Sequence, residues 1–318
     1  MTNSYRLPYE IQVSISLNRE LDNSSTFIYE GIKKIYETQY LNDVGGNVFN
    51  FLYNLSVGFE RIQKIILYLL EIKEKNDFHI PFNQKYQIHN HIGLHQFMKE
   101  KIEIDLNENQ TGLLAILADF YKNNRYGRFD FCDKPFFELE GLIRYLSKTM
   151  KKSPEMVGEM SYENSLEMKD FLSKQIIKLF QKYHNIINGL SSELNIFVDE
   201  SCTESRVLDL IYGSYNIHND NLNFYQRHIL LSKEFILMLI KLDSKKAYLN
   251  DFNHIESLDI EDYLEEYGIN DLISENIYSK NLDIFEELAY IAYDKQKIDV
   301  KKRKLDFFMI PDQYYWNT

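Results

Sequence analysis

The sequence predicts a mainly α-helical protein, with at most a few short strands. It divides into a helical bundle over about residues 1–150 and a second, acidic helical lobe over 151–318. Apolar residues recur at three- and four-residue spacing on both sides of Pro154, as they do along one face of a 3.6-residue helix. Only one or two short runs read as strands. The boundary is placed at Lys151-Lys152-Ser153-Pro154, where a capping serine precedes a proline suited to the first turn of a new helix.

Taken in order, YEIQVSISL near the N-terminus alternates apolar and polar residues and suggests a short edge strand or an extended arm. Ser24 or Ser25 then caps a predicted helix over 26–39, which Asp43-Val44-Gly45-Gly46 ends. The stretch 48–73 predicts a long helix, with Leu52, Leu55, Phe59, Ile62, Ile66 and Leu69 on one stripe. At 1.5 Å per residue it extends about 39 Å, enough to cross a small domain. Gly58 in its middle costs about 1 kcal/mol relative to alanine, which predicts the close approach of another helix there. Glu60 and Lys64 share its polar face one turn apart.

A connector with Pro81 leads to the histidine-rich segment 85–102, in which His91 and His95 fall on one face of a short helix. A further helix over 111–124 buries Leu113, Ile116, Leu117 and Phe120 and ends in Arg125-Tyr126-Gly127-Arg128-Phe129. A helix over 136–150 completes the bundle. Beyond Pro154 the pattern predicts helices over 162–188, 204–215, 222–242, 257–266 and 281–296, with one strand over 191–201. The C-terminal stretch opens on the basic run 301–304 and ends in aromatic residues, as expected of a tail docked on the body or used at an interface.

The net charge of −12 is unevenly spread. Residues 1–150 carry 17 Lys and Arg against 19 Asp and Glu, a net −2, whereas 151–318 carry 19 against 29, a net −10. Non-specific nucleic-acid binding depends on neutralising phosphates, so any RNA contact is expected to be local and in the first half. Cys132 and Cys202 form neither a disulfide framework nor a metal-ligand spacing. No apolar run reaches the length of a membrane span, and the N-terminus lacks a basic-then-apolar signal pattern, so the expected location is cytoplasmic.

Several groups are candidates for chemistry. His89, His91 and His95 invite a metal reading, since the 91/95 pair has the i,i+4 geometry of helical ligands, but two ligands do not make a metal site and no carboxylate follows at the zinc-hydrolase spacing. The acidic pair in NIFVDES follows an apolar run as metal-binding carboxylates do in nucleases, yet the further strands are missing. The 301–304 run either touches phosphates, stays solvated or neutralises the acidic lobe. Arg125, Tyr126 and Arg128 form the strongest candidate, held by the helix dipole and by Glu60 or Asp119, or capping carbonyls with Tyr126 packed beneath. No cofactor and no metal are expected.

The runs LSVGFERIQKIILYLLEI, IHNHIGLHQFM and LLAILADFYKNNRYGRF together resemble the HEPN superfamily of helical-bundle proteins, over about residues 26–150. Gly58, Glu60 and Lys64 match a Gly-x-Glu-x-x-x-Lys-like element of its long helix, and Arg125 with its neighbours matches an arginine-rich helix end. The resemblance implies a metal-independent ribonuclease of an anti-phage defence, abortive-infection or toxin–antitoxin system and a homodimer through the bundle, or alternatively a catalytically inactive interaction module for a protein partner encoded nearby. Many members carry Arg-x(4–6)-His, and here no histidine follows Arg125 or Arg128 within six residues. RNA cleavage without metal needs a proton acceptor near the 2′-hydroxyl and a cation for the developing phosphorane charge. The resemblance therefore implies Arg125 and Arg128 as the cations and His91, His95 or Glu60 as the acceptor, with Glu60 and Lys64 close to the arginines.

Overall fold

A computed structural model describes residues 7–42, 46–125, 137–158, 161–198, 206–212, 224–242, 257–258, 260, 283–303 and 305. Among these the chain is predominantly α-helical, with a single two-stranded sheet. It forms two compact units, one comprising residues 1–201 and 205–211 and the other 202–204 and 212–318. No helix of the described residues is long and apolar enough to cross a membrane.

The first unit is built on a hairpin of two 29-residue helices, α1 (Tyr9–Glu37) and α2 (Asn47–Lys75). The alternating run near the N-terminus is the start of α1, not a strand. Val13 and Leu17 are buried and continue the stripe Leu21, Ile28, Ile32 and Ile35, while the intervening Ile11 and Ile15 stay exposed, so the four-residue spacing prevails over the alternation. Ser24 and Ser25 lie inside this helix, buried, with their hydroxyls donating to the carbonyls of Glu20 and Asp22. They leave room for α2: a Cβ at Gly58 would stand 2.6 Å from Ile28 Cγ1 and 2.9 Å from the Ser24 carbonyl oxygen. The expected close approach at Gly58 is thus made by α1.

Around α2 pack α3 (His91–Lys99), α4 (Glu108–Asp119), α5 (Phe137–Met150) and α6 (Leu166–Glu193). Side chains fix the helix starts. Asn90 accepts from the backbone of Ile92 and Gly93, Ser165 from Met168, and Asn107 with Gln110 forms a reciprocal capping box. Beyond α1, strand β1 (Tyr40–Leu41) pairs antiparallel with β2 (Tyr162–Glu163) in the register Tyr40 to Glu163 and Leu41 to Tyr162. The buried Asn164 amide donates to the carbonyls of Ile35 and Thr38 at 2.8 and 2.9 Å, closing the C-terminal end of α1.

The first unit runs past the expected boundary at Pro154. The cause is α6, whose Leu172, Ile176, Phe180, Tyr183 and Ile187 are buried against the hairpin. The predicted strand over 191–201 is not seen over its described part: α6 continues through Gly189 to Glu193, and Ile196 to Val198 belong to no helix or strand. Their backbone meets α1 side chains instead, Phe197 N–H donating to Ser14 Oγ at 3.3 Å and Asn18 Nδ2 to the Phe197 carbonyl at 3.1 Å. Asp199, Glu200, Cys132 and Cys202 lie outside the described residues. Helix α7 (Arg206–Tyr212) follows, with Arg206 over the Tyr29 ring.

The second unit contains α8 (Phe224–Leu242) and α9 (Asp283–Lys295). Leu231, Phe235, Met238, Phe285, Leu288 and Ala292 form its core, with the Phe235 and Phe285 rings edge to face at 5.0 Å. The expected helix over 257–266 falls mostly outside the described residues. Of the basic run, Lys302 lies 3.0 Å from Asp299, and Arg303 makes a two-pronged contact with the buried Glu234 carboxylate at 2.6 and 3.0 Å, to which Tyr293 also donates at 2.9 Å.

Candidate functional site

The polar centre of the first unit begins on α2. Glu60 and Gln63 are buried on this helix, and Lys64 stands one turn from Glu60. The Glu60 side chain is only 11% exposed, so its charge requires partners. Lys64 Nζ donates to Oε1 at 2.6 Å. The second partner is His89, whose Nδ1 lies 3.0 and 2.9 Å from the two carboxylate oxygens. A carboxylate only accepts, so Nδ1 carries the proton, and in the neutral tautomer Nε2 is the acceptor. The His89 side chain is 57% exposed.

His89 is placed by helix capping. It immediately precedes Asn90, the N-cap of α3, and so sits just outside the helix, over the polar face of α2. His91 is the first helical residue and turns the other way, into the core. Its Nδ1–H donates to Gln63 Oε1 at 3.0 Å, while Gln63 Nε2 donates to the His91 carbonyl at 3.0 Å and to Tyr183 Oη at 3.3 Å. Tyr183 in turn donates to His95 Nδ1 at 3.3 Å. This directional chain ties α2, α3 and α6 together. Complete burial pulls His91 down to about 4, with Glu60 opposing and Lys64 and His89 adding to the effect. His95 is lowered by burial and by Lys99. Burial also raises Tyr183, with the Gln63 bond opposing.

The arginine arrives from the far end of α4. There the helix widens into a π-helical turn, Phe120–Asn124, in which Arg125 N–H donates to the Phe120 carbonyl at 2.9 Å. Single π turns of this kind recur at functional sites because they re-aim side chains. This one brings Tyr121 against His89, the rings stacked at 4.8 Å and 28°. Arg125 Nη1 donates to Tyr121 Oη at 2.5 Å, and its guanidinium lies over the Tyr121 and Tyr53 rings at 4.7 and 5.4 Å. Asp119, an expected holder of Arg125, accepts from Asn123 at 2.6 Å. Tyr121 is raised by burial first and by Glu60 second, with Arg125 opposing, and is a neutral phenol at physiological pH.

Of the residues singled out from the sequence, the structure brings Glu60, Lys64 and Arg125 to one region through His89 and Tyr121. It puts His91 and His95 in a separate buried network, with their Nδ1 atoms committed to different partners. Arg128 and Tyr126 lie outside the described residues. Among the described residues no three His, Cys, Asp or Glu side chains converge as metal ligands. His89 and Tyr121 were the residues that sequence reasoning did not place in the site. The available signals were Asn90 as a cap, which separates His89 from the helix, and Tyr121 one turn before Arg125. No protein-family model matches the chain, and neither does any curated protein or solved structure.

Proposed function

We propose that the protein is a HEPN-like, metal-independent endoribonuclease of a bacterial anti-phage defence or toxin–antitoxin type system. The observation that carries the reading is the Glu60–His89 pair beside Arg125. The acceptor that a following Arg-x(4–6)-His would supply is here supplied by His89 from the loop before α3. His89 Nε2 takes the proton of a ribose 2′-hydroxyl, and that oxygen attacks the adjacent phosphorus. Glu60 holds the ring and stabilises the imidazolium. Arg125 faces the charge that gathers on the phosphorane oxygens. The P–O5′ bond breaks, the leaving oxygen takes the proton from the imidazolium, and the products are a 2′,3′-cyclic phosphate and a 5′-hydroxyl.

The second reading is a HEPN-like interaction module without catalysis, and the net charge of −12 favours it, because an acidic chain gathers RNA poorly. Expression in a bacterial host separates the two, using wild type, His89→Ala and Arg125→Ala. The ribonuclease reading expects growth arrest and RNA fragments ending in cyclic phosphate from the wild type alone, undiminished by a chelator. Loss of one general base or one charge-stabilising donor costs about 10²–10³ in rate. Intact RNA with all three proteins, and a protein partner recovered with each, supports the module. If Arg125→Ala and His89→Ala are folded and cleave like the wild type, this site is not the active site.

A further inference from the structure

His89 and Arg125 come from different elements, a loop before α3 and the π turn after α4, and something must set their spacing. We propose that Tyr121 is the positioning residue of this site, its ring seating the His89 imidazole and its hydroxyl holding the Arg125 guanidinium. The inference rests on the ribonuclease reading. Three contacts made by one side chain carry it: the 4.8 Å stack on His89, the 2.5 Å bond from Arg125 Nη1, and the guanidinium 4.7 Å above the ring.

The contacts differ in kind, which makes their separate removal informative. The two rings are stacked at 28°, so the tyrosine restrains tilting of the imidazole plane while Glu60 fixes Nδ1. With two restraints the ring has one orientation, and Nε2 one direction. Arg125 is held by a neutral phenol oxygen and by two aromatic faces. Tyr121 itself is set by the widened turn and by its neighbour Phe120, which is buried edge to face against Phe49 at 5.2 Å. The aromatic base of the turn therefore fixes the tyrosine, and the tyrosine fixes the two groups that face the substrate.

The test uses the full-length protein with Tyr121→Phe and Tyr121→Leu. The phenylalanine variant keeps the stack and loses the bond from Arg125; the leucine variant loses both. The His89 Cε1–H proton resonance, assigned with His89→Gln, reports the seating without any activity. It is expected to move downfield, out of the tyrosine ring current, in Tyr121→Leu and to stay in place in Tyr121→Phe. On a single-stranded RNA oligomer, Tyr121→Phe is expected to lower kcat about tenfold with KM little changed, since a charge-assisted bond that positions a transition-state donor is lost. Tyr121→Leu is expected to lower kcat about a hundredfold. An unmoved resonance in the leucine variant, or wild-type kcat and KM in both variants, overturns the positioning role. A wild type that leaves the oligomer intact, with the resonance moved in Tyr121→Leu, retires the ribonuclease reading and retains the seating of His89 by Tyr121.

Discussion

Lowering the pH loads two imidazoles in this fold, His91 and His95. Both take up protons at lower pH when folded than when unfolded, because burial penalises their charged forms. Below the ordinary histidine value of 6.5 the unfolded chain therefore binds more protons, and stability falls as the pH drops from about 6.5 towards 4. For His91, held at about 4, the loss at the acid end is about 3 kcal/mol. Urea unfolding at pH 7.5 and pH 4.5 should show it, and a His91→Gln variant should lose less stability between those two pH values than the wild type does. Equal losses would sink the claim. The same residue pair teaches a limit of periodicity. His91 and His95 share a helical face as expected, but the face points to Gln63 and Tyr183 in the core, and the exposed His89 outside the cap meets Glu60.

At the scale of the helices, two glycines give opposite expectations. A methyl group at Gly58 would press on Ile28 and on the backbone carbonyl of Ser24, and a backbone atom cannot swing aside. Overpacking of this sort costs about 1–3 kcal/mol. That exceeds the gain of up to about 1 kcal/mol from removing glycine from a helix interior. Gly189 sits within α6, exposed, with nothing within 4 Å of an added Cβ. Gly58→Ala is expected to lower the melting temperature of the first unit and Gly189→Ala to raise it, each by a few degrees. A thermal scan of the two variants decides both, and a Gly58→Ala protein as stable as the wild type would mean that α1 and α2 pack more loosely than described. Helix type was legible from spacing along α2 and most of α6, but not at the start of α1, where the alternating run suggested a strand or an extended arm. Element ends were not, since α1 begins seventeen residues before the predicted helix (Tyr9 against residue 26) and α6 runs on to Glu193.

For the whole molecule, the extent of the first unit yields a prediction about fragments. Residues 1–211 should express as a helical piece with a cooperative thermal transition. Residues 1–150 lack α6 and would expose the faces of α1 and α2 that it covers, so they should aggregate or bind a hydrophobic dye. A cooperative melt of the shorter fragment would count against the description. In the second unit, Glu234→Ala removes the buried carboxylate that Arg303, 13% exposed, contacts with two nitrogens, and should destabilise by about 3–5 kcal/mol. Glu234→Leu combined with Arg303→Met should cost much less, because removing both charges removes the desolvation penalty as well. A double-mutant cycle by urea unfolding measures the difference.

The sequence by itself determined the helical class, the stripe of α2, the close approach at Gly58 and the pairing of Glu60 with Lys64. These depend on spacings of three and four residues, which are local and survive in a single chain read without its fold. Tertiary structure alone decided that α6 belongs to the first unit, that Arg303 meets a buried carboxylate, and that His89 and Tyr121 join Glu60 to Arg125. Those contacts link residues 29 to 69 positions apart in chain order, or depend on a π turn and a cap that change where a side chain points by a fraction of a turn. Hydrophobic periodicity says which face of a helix is buried, but a buried carboxylate takes whichever donor the packing delivers. In this chain the packing delivered the histidine before the cap.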